Sequence, residues 1–277
     1  MPPALEYDRA AAAISEATAL LIGAGAGMGV DSGLPDFRGD QGFWNAYPPY
    51  QHLGVSFIDM ANPRWFTRDP AFAWGFYGHR RNLYRDTVPH AGFTLLRAWA
   101  EECDQGAFVF TSNVDNQFQK AGFLDAQVDE CHGALEWNQC VADCGQPIFA
   151  AGPERLEIDE TSMRAADPLP ACPRCDGLAR PNILMFGDFG WDPAREKDQT
   201  RRLQQWLERI GEGPIALIEM GAGRGIPTVR SFMEQVVRHH PRATLIRINP
   251  REPEVPSGQV SLPVGAQAAL QEIAARR

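Results

Sequence analysis

Four short apolar runs punctuate the chain: Thr18 to Gly23, Ala107 to Asn113, Ile215 to Gly221 and Ala243 to Asn249. Each is hydrophobic on consecutive residues, so both faces of a strand would be apolar, and each ends in small or polar residues. Runs of this kind, separated by helical stretches, mark buried parallel strands. Helical spacing of apolar positions predicts helices over Tyr7 to Ala17, Pro70 to Arg85, Ala91 to Cys103, Glu196 to Ile210, Pro227 to His239 and Ala266 to Arg276. The alternation predicts an α/β fold, a doubly wound Rossmann-like parallel sheet whose ligands sit beyond the carboxyl ends of its strands.

Two stretches break the rhythm. Residues 42–85 are rich in aromatics and proline and predict a small helical insertion after the first strand. Residues 137–177 hold four of the six cysteines and several prolines, and predict a second small module set into the sheet domain. The Rossmann-like domain then comprises residues 1–41, 86–136 and 178–277.

The bulk properties narrow the partners. A chain of 277 residues can bury a sizeable core as one large domain or as a domain with insertions. A net charge of -9 argues against nonspecific nucleic-acid binding, which needs a basic surface. No segment reads as a signal peptide or a membrane span, so a cytoplasmic location with no membrane partner is expected. Cysteines in a cytosolic chain are better read as thiols or metal ligands than as disulfides.

Chemistry concentrates in three places. The first strand runs into Gly25-Ala-Gly-Met-Gly29, where glycine stands at every second position from Gly23. Glycines let a main chain approach a pyrophosphate, and amides at a helix start hold its charge. The strict G-x-G-x-x-G spacing is absent and no glycine precedes a lysine, so neither a dehydrogenase fingerprint nor a Walker loop is present. A structural turn is the competing reading; the alternation followed by Pro35-Asp-Phe-Arg38 favours a dinucleotide loop. Next, Cys140-x3-Cys144 and Cys172-x2-Cys175 form two knuckles. Thiolates so spaced can converge on a tetrahedral zinc ion with no open position, hence a structural metal, one per chain; scattered free thiols are the alternative. Cys103 and Cys131 fall outside that pattern and read as small apolar residues. Finally, His132 precedes Gly133, about twenty residues beyond Thr111-Ser-Asn-Val-Asp115. Spacing alone leaves it open between a structural histidine and a general base.

In this order the elements resemble the sirtuin (Sir2) family of NAD-dependent protein deacylases. The loop from Gly25 to Arg38 aligns without a gap to the family's GAGIS…GIPDFR signature. Thr111 to Asp115 is similar to its TQNID, His132-Gly133 to its catalytic HG, the knuckles to its zinc module, Arg180 to Asp188 to its RP…FGE segment, and Ile246 to Asn249 to its VIN. The resemblance implies that NAD binds at Gly25, Ala26, Gly27, Asp36, Phe37, Arg38, Ser112, Asn113, Asp115, Gly221, Gly223, Asn249 and Ala266. It implies His132 and Asn113 as catalytic residues, Cys140, Cys144, Cys172 and Cys175 as zinc ligands, and Phe186 and Gly187 as substrate contacts. It further implies that an acyl-lysine amide oxygen attacks C1′ of the nicotinamide ribose. Nicotinamide leaves, His132 takes a proton from the ribose hydroxyls, and lysine is released with O-acyl-ADP-ribose.

Four positions depart from the family pattern. Gly29 replaces the serine of GAGIS, and Ser112 replaces the glutamine of TQNID. The first knuckle is one residue longer. Gly221-Ala-Gly-Arg-Gly-Ile226 replaces GTSLxV, which loses a serine and introduces Arg224, able to pair with a phosphate or to face solvent. Other function classes compatible with this pattern are protein ADP-ribosylation or NAD hydrolysis, and a noncatalytic NAD-binding module. Finally, Trp74-Gly-Phe-Tyr-Gly-His-Arg-Arg81 resembles the segment of sirtuins that prefer succinyl and malonyl chains. Tyr77 and Arg80, three apart on one helical face, would read the acyl carboxylate. The alternative is that the aromatics pack the insertion while Arg80 and Arg81 are solvated.

Overall fold

All four apolar runs fold as strands of one sheet in a computed structural model that describes residues 4–35 and 39–277. In chain order the strands are β1 (Ala19–Ala24), β2 (Ala107–Thr111), β3 (Val128–Glu130), β4 (Gly133–Cys140), β5 (Phe149–Ala150) and β6 (Ile158–Asp159). They continue as β7 (Arg164–Ala165), β8 (Ala179–Ile183), β9 (Ile215–Met220), β10 (Ala243–Ile248) and β11 (Val260–Leu262). The helices before β2 are α1 (Ala4–Glu16), α2 (Gly39–Ala46), α3 (Pro48–His52), α4 (Phe57–Met60), α5 (Trp65–Arg68), α6 (Pro70–Asp86) and α7 (Ala91–Glu102). After it come α8 (Gln117–Lys120), α9 (Ala194–Ile210), α10 (Thr228–His239) and α11 (Ala266–Ala274).

The main sheet has the order β11-β10-β9-β1-β2-β3, with every neighbouring pair parallel. Numbered by appearance within this sheet, that is the 3-2-1-4-5-6 order of dinucleotide-binding folds, and its direction reverses between β1 and β9. Side chains alternate across the sheet. Leu20, Ile22 and Ala24 join Ile14, Leu96, Trp99, Leu270 and Ile273 of α1, α7 and α11. Ala19 and Leu21 face the other way, onto Leu203 and Trp206 of α9 and Val229 and Met233 of α10. Each fully buried Leu or Ile contributes ~1.5–3 kcal/mol, so this two-sided core fixes the strand order on which the site depends. The edge strands β3 and β11 were outside the sequence expectation. They are three residues long, too short to show a period.

Residues 39–86 form α2 to α6, whose aromatic rings pack largely edge to face around Phe43, Tyr47, Tyr50 and Phe76. The bundle sits on a second sheet of order β5-β4-β8, antiparallel throughout. That sheet straddles the boundaries expected at 136/137 and 177/178, because β4 begins at Gly133 and β8 ends at Ile183. The hairpin β6–β7 crosses α6 at Gly75, where a Cβ would stand 1.9 Å from the Met163 carbonyl oxygen. Only glycine permits that crossing.

Candidate functional site

The carboxyl ends of the central strands are tied into one row by hydrogen bonds. Ser112 N–H donates to the Ala24 carbonyl at 3.1 Å, and Asn113 Nδ2 to the Gly25 carbonyl at 3.1 Å. Gly25 N–H donates to Met220 O at 2.9 Å, Gly27 N–H to Gly221 O at 3.2 Å, and Gly221 N–H to Ile248 O at 3.1 Å. Asn249, fully buried, donates from Nδ2 to Ala222 O at 2.9 Å, while its Oδ1 accepts from the N–H groups of Arg251 and Glu252. Gly25, Ala26, Gly27, Ser112, Asn113, Gly221 and Asn249 thus share the strand ends around the point where the sheet order reverses.

The glycines are required by the approach of the loops. A Cβ on Gly25 would lie 2.7 Å from Ala222 Cα, and one on Gly221 (φ +61°) would lie 2.4 Å from Gly27 Cα. Two main chains meet there with no room for side chains, a glycine-lined junction (the cradle) at the reversal of strand order, the place where folds of this order bind phosphate-bearing ligands. Ala266 opens α11 beside this cradle. Asp31, in the loop after β1, accepts from the Gln267 N–H at 2.8 Å and so ties the two segments together. His90 fastens the same loop, with Nε2 3.0 Å from the Met28 carbonyl oxygen and its N–H donating to Ser32 Oγ at 2.9 Å. Gly223 is half-buried on the β9 loop. Its neighbour Arg224 pairs with Glu254 at 2.8 Å, both side chains more than half exposed. The partner of Arg224 is thus an acidic side chain at the surface. Asp36, Phe37 and Arg38 lie outside the described residues.

His132 follows β3 and flanks the cradle. Burial lowers its affinity for a proton, while a backbone hydrogen bond to Ser112 acts the other way. Its Nε2 stands 3.4 Å from Thr228 Oγ1 on the first residue of α10. Gly133 (φ +76°) lets the chain turn against β8, since a Cβ there would be 2.0 Å from the Asn182 carbonyl oxygen. Asp115 is buried, accepts from the Gln117 N–H at 3.1 Å, and is pushed up to about 6, mainly by desolvation. Sequence reasoning did not find Thr228, Asp31 or His90. Their contacts join distant segments, and no local spacing announces them.

Cys140, Cys144, Cys172 and Cys175 bring their four sulfur atoms within 4.8 Å of one another. The Cys140–Cys175 and Cys144–Cys172 separations are 3.7 and 3.6 Å. Four sulfurs at ~2.3 Å from a tetrahedral zinc ion lie about 3.8 Å apart, so the donor set fits that metal. The second knuckle turns tightly, with Asp176 N–H donating to Cys172 O and Cys172 N–H to Gly177 O. Cys103 and Cys131 lie outside the cluster.

On α6, Tyr77 and Arg80 are both buried. Arg80 lies between the rings of Phe76 and Tyr84, 5.1 and 5.4 Å from their centres, and donates from Nε and Nη2 to Tyr84 Oη at 3.0 and 2.6 Å. The Tyr77 hydroxyl is buried with no hydrogen-bond partner among the described residues. Arg81 turns to the Leu135 carbonyl and Asn138 Oδ1. Neither arginine is solvated. Phe186 packs edge to face on Phe57 and its N–H donates to Ala61 O, while Gly187 (φ +67°) is exposed. Asp188, bound by Arg180 within the fold, anchors this turn by accepting from the N–H groups of Met185 and Gly190.

With this geometry in place, comparison with known proteins is direct. The model of the Sir2 family matches residues 25–202. The mitochondrial NAD-dependent protein deacylase sirtuin-5 of Danio rerio is 32% identical over 246 residues, covering 79% of this chain and 75% of that protein. An NAD-dependent protein deacetylase of Caldivirga maquilingensis is 30% identical over 250 residues, covering 90% of this chain and 85% of its own. Among solved structures, a Sir2 homologue bound to NAD superimposes with a TM-score of 0.69 at 25% identity, over 98% of this chain and 93% of that one. An ADP-ribose complex of a Sir2 homologue variant gives 0.71 at 26% identity, over 97% and 95%.

Proposed function

The chain belongs to the Sir2 family and is an NAD-dependent protein deacylase, and from that premise we propose how its own residues carry the reaction. The observation that carries the reading is the cradle at the sheet's reversal point, where Gly25, Gly27 and Gly221 meet main chain to main chain beside His132. Bound NAD supplies an electrophilic ribose carbon and nicotinamide as its leaving group. Gly25, Ala26, Gly27, Gly221 and Gly223 would border the phosphates by allowing close main-chain approach, the Asn249 segment would border the adenosine ribose, and Ala266 the adenine. Ser112, Asn113 and Asp115 would line the nicotinamide end. The NAD-binding body is residues 1–41, 86–136 and 178–277, with the helical insertion at 42–85 and the zinc-binding module at 137–177.

His132 is the base. Desolvation favours its neutral ring, and in the tautomer protonated at Nδ1 the Nε2 lone pair can take a proton from a ribose hydroxyl. Asn113, with Nδ2 fixed on the Gly25 carbonyl, is a rigid wall of the pocket rather than a mobile one. Zinc on the four cysteines pins the module at 137–177, between the start of β4 and β8, and takes no part in the chemistry. The acyl-lysine of a protein substrate runs past Phe186 and Gly187 toward α6, where Arg80 and Tyr77 read an acidic acyl chain.

Incubation with NAD and acyl-lysine peptides tests the reading. Nicotinamide is released only when both are present. Equal release without peptide would assign the chain to NAD hydrolysis or ADP-ribosyl transfer, and none under any condition would leave a binding module.

A further inference from the structure

We propose that Thr228 is a positioning residue for the proton-accepting atom of His132, an inference that rests on the reading of His132 as the base. The imidazole is held from two sides by different elements. Ser112, at the end of β2, meets it through the backbone, and Thr228 Oγ1, at the start of α10, stands 3.4 Å from Nε2. The helix start is itself fixed. Val229 and Met233 are buried in the core, and Arg230 donates to the Glu252 carbonyl in the loop beyond Asn249. The hydroxyl therefore approaches Nε2 from a rigid element, and it is tied through Arg230 to the segment that holds the adenosine ribose.

A hydroxyl suits this position because it changes roles with the ring. In the neutral tautomer protonated at Nδ1, it donates to the lone pair of Nε2 at rest. At 3.4 Å that bond is long, so a substrate hydroxyl can displace it. Once Nε2 is protonated the same oxygen accepts from it, and a bond from a charged donor is the stronger of the two. The two carboxylates that precede His132 in the chain are engaged elsewhere. Glu130, two residues earlier, is bound by Arg195, and Asp129 faces Thr200 of α9. Thr228 is thus the side chain through which the fold can tune this histidine.

Thr228→Val keeps the shape and removes the hydroxyl. Loss of the acceptor for the protonated ring and the added apolar surface both disfavour the charged imidazole, so they act in one direction. The expected results are a His132 titration by NMR at lower pH, an acid limb of the pH–rate profile displaced with it, and kcat down about five- to tenfold. Thr228→Ser restores all three, whereas a packing role would favour valine over serine. An unmoved His132 titration in Thr228→Val overturns the proposal whether or not His132 is the base. A displaced titration upholds the contact. If His132→Ala, assayed in parallel, then keeps wild-type turnover, it is the base assignment that fails.

Discussion

Asp129 shows how a single buried carboxyl can set the protein's response to pH. It is fully buried on β3, its Oδ1 has no partner among the described residues, and Thr200 Oγ1 lies 2.8 Å from Oδ2 and 3.1 Å from Glu196 Oε1. One hydroxyl has one proton to share between two carboxylates. Burial, with Glu196 and Glu130 nearby, pushes Asp129 up to about 7. The native state therefore holds a proton that the unfolded chain releases near pH 4, so this contribution is complete below about 4 and is lost as pH rises to about 7. Asp129→Asn removes the linkage. Melting temperatures at pH 5 and pH 8 should differ less in the variant than in the wild type, and an unchanged difference would contradict the assignment. At the same scale, Arg80→Ala should cost about 2–4 kcal/mol in kcat/KM for succinyl-lysine and much less for acetyl-lysine. Tyr84→Phe, which removes the acceptor of two Arg80 N–H groups, should weaken the same substrate to a smaller degree. Equal losses on both acyl chains would remove Arg80 from the acyl pocket.

The elements differ in what they revealed from sequence. Long periodic helices such as α6 and α9 and the four apolar strands were legible because burial imposes a repeat on each of them. The edge strands β3 and β11 escaped because three residues cannot carry a repeat, and Asp129 and Glu130 make β3 read as polar. The cysteine spacing announced its module, and the four sulfurs do converge. Cys172→Ser should therefore release metal and lower the melting temperature before it alters NAD affinity; a metal-free protein of unchanged stability would contradict the zinc assignment. Gly221→Ala tests the cradle as an element. The new methyl meets Gly27 in a left-handed backbone, so the β1 and β9 loops must part at a cost of about 1–3 kcal/mol. KM for NAD should rise about tenfold or more, and an unchanged value would mean that the loops do not hold the phosphates.

At the scale of the molecule, sheet order, insertions and site form one arrangement. The sheet order reverses between β1 and β9 at the glycine junction, the second sheet follows directly on His132, and the helical bundle packs on that second sheet. The fold and the four-cysteine cluster could be named from motifs, because buried strands and metal-ligand spacing leave a mark on the local sequence. What could not be named is what depends on distance in sequence: Thr228 reaches His132 across 96 positions. The central claim is that NAD cleavage is coupled to deacylation through His132. Mass spectrometry of single reactions tests it most directly, by counting nicotinamide, free lysine and O-acyl-ADP-ribose in the wild type and in His132→Ala. Equal amounts of all three are expected in the wild type, with a loss of at least about a hundredfold in the variant. Nicotinamide formed in excess of O-acyl-ADP-ribose, or a variant with undiminished turnover, would contradict that claim.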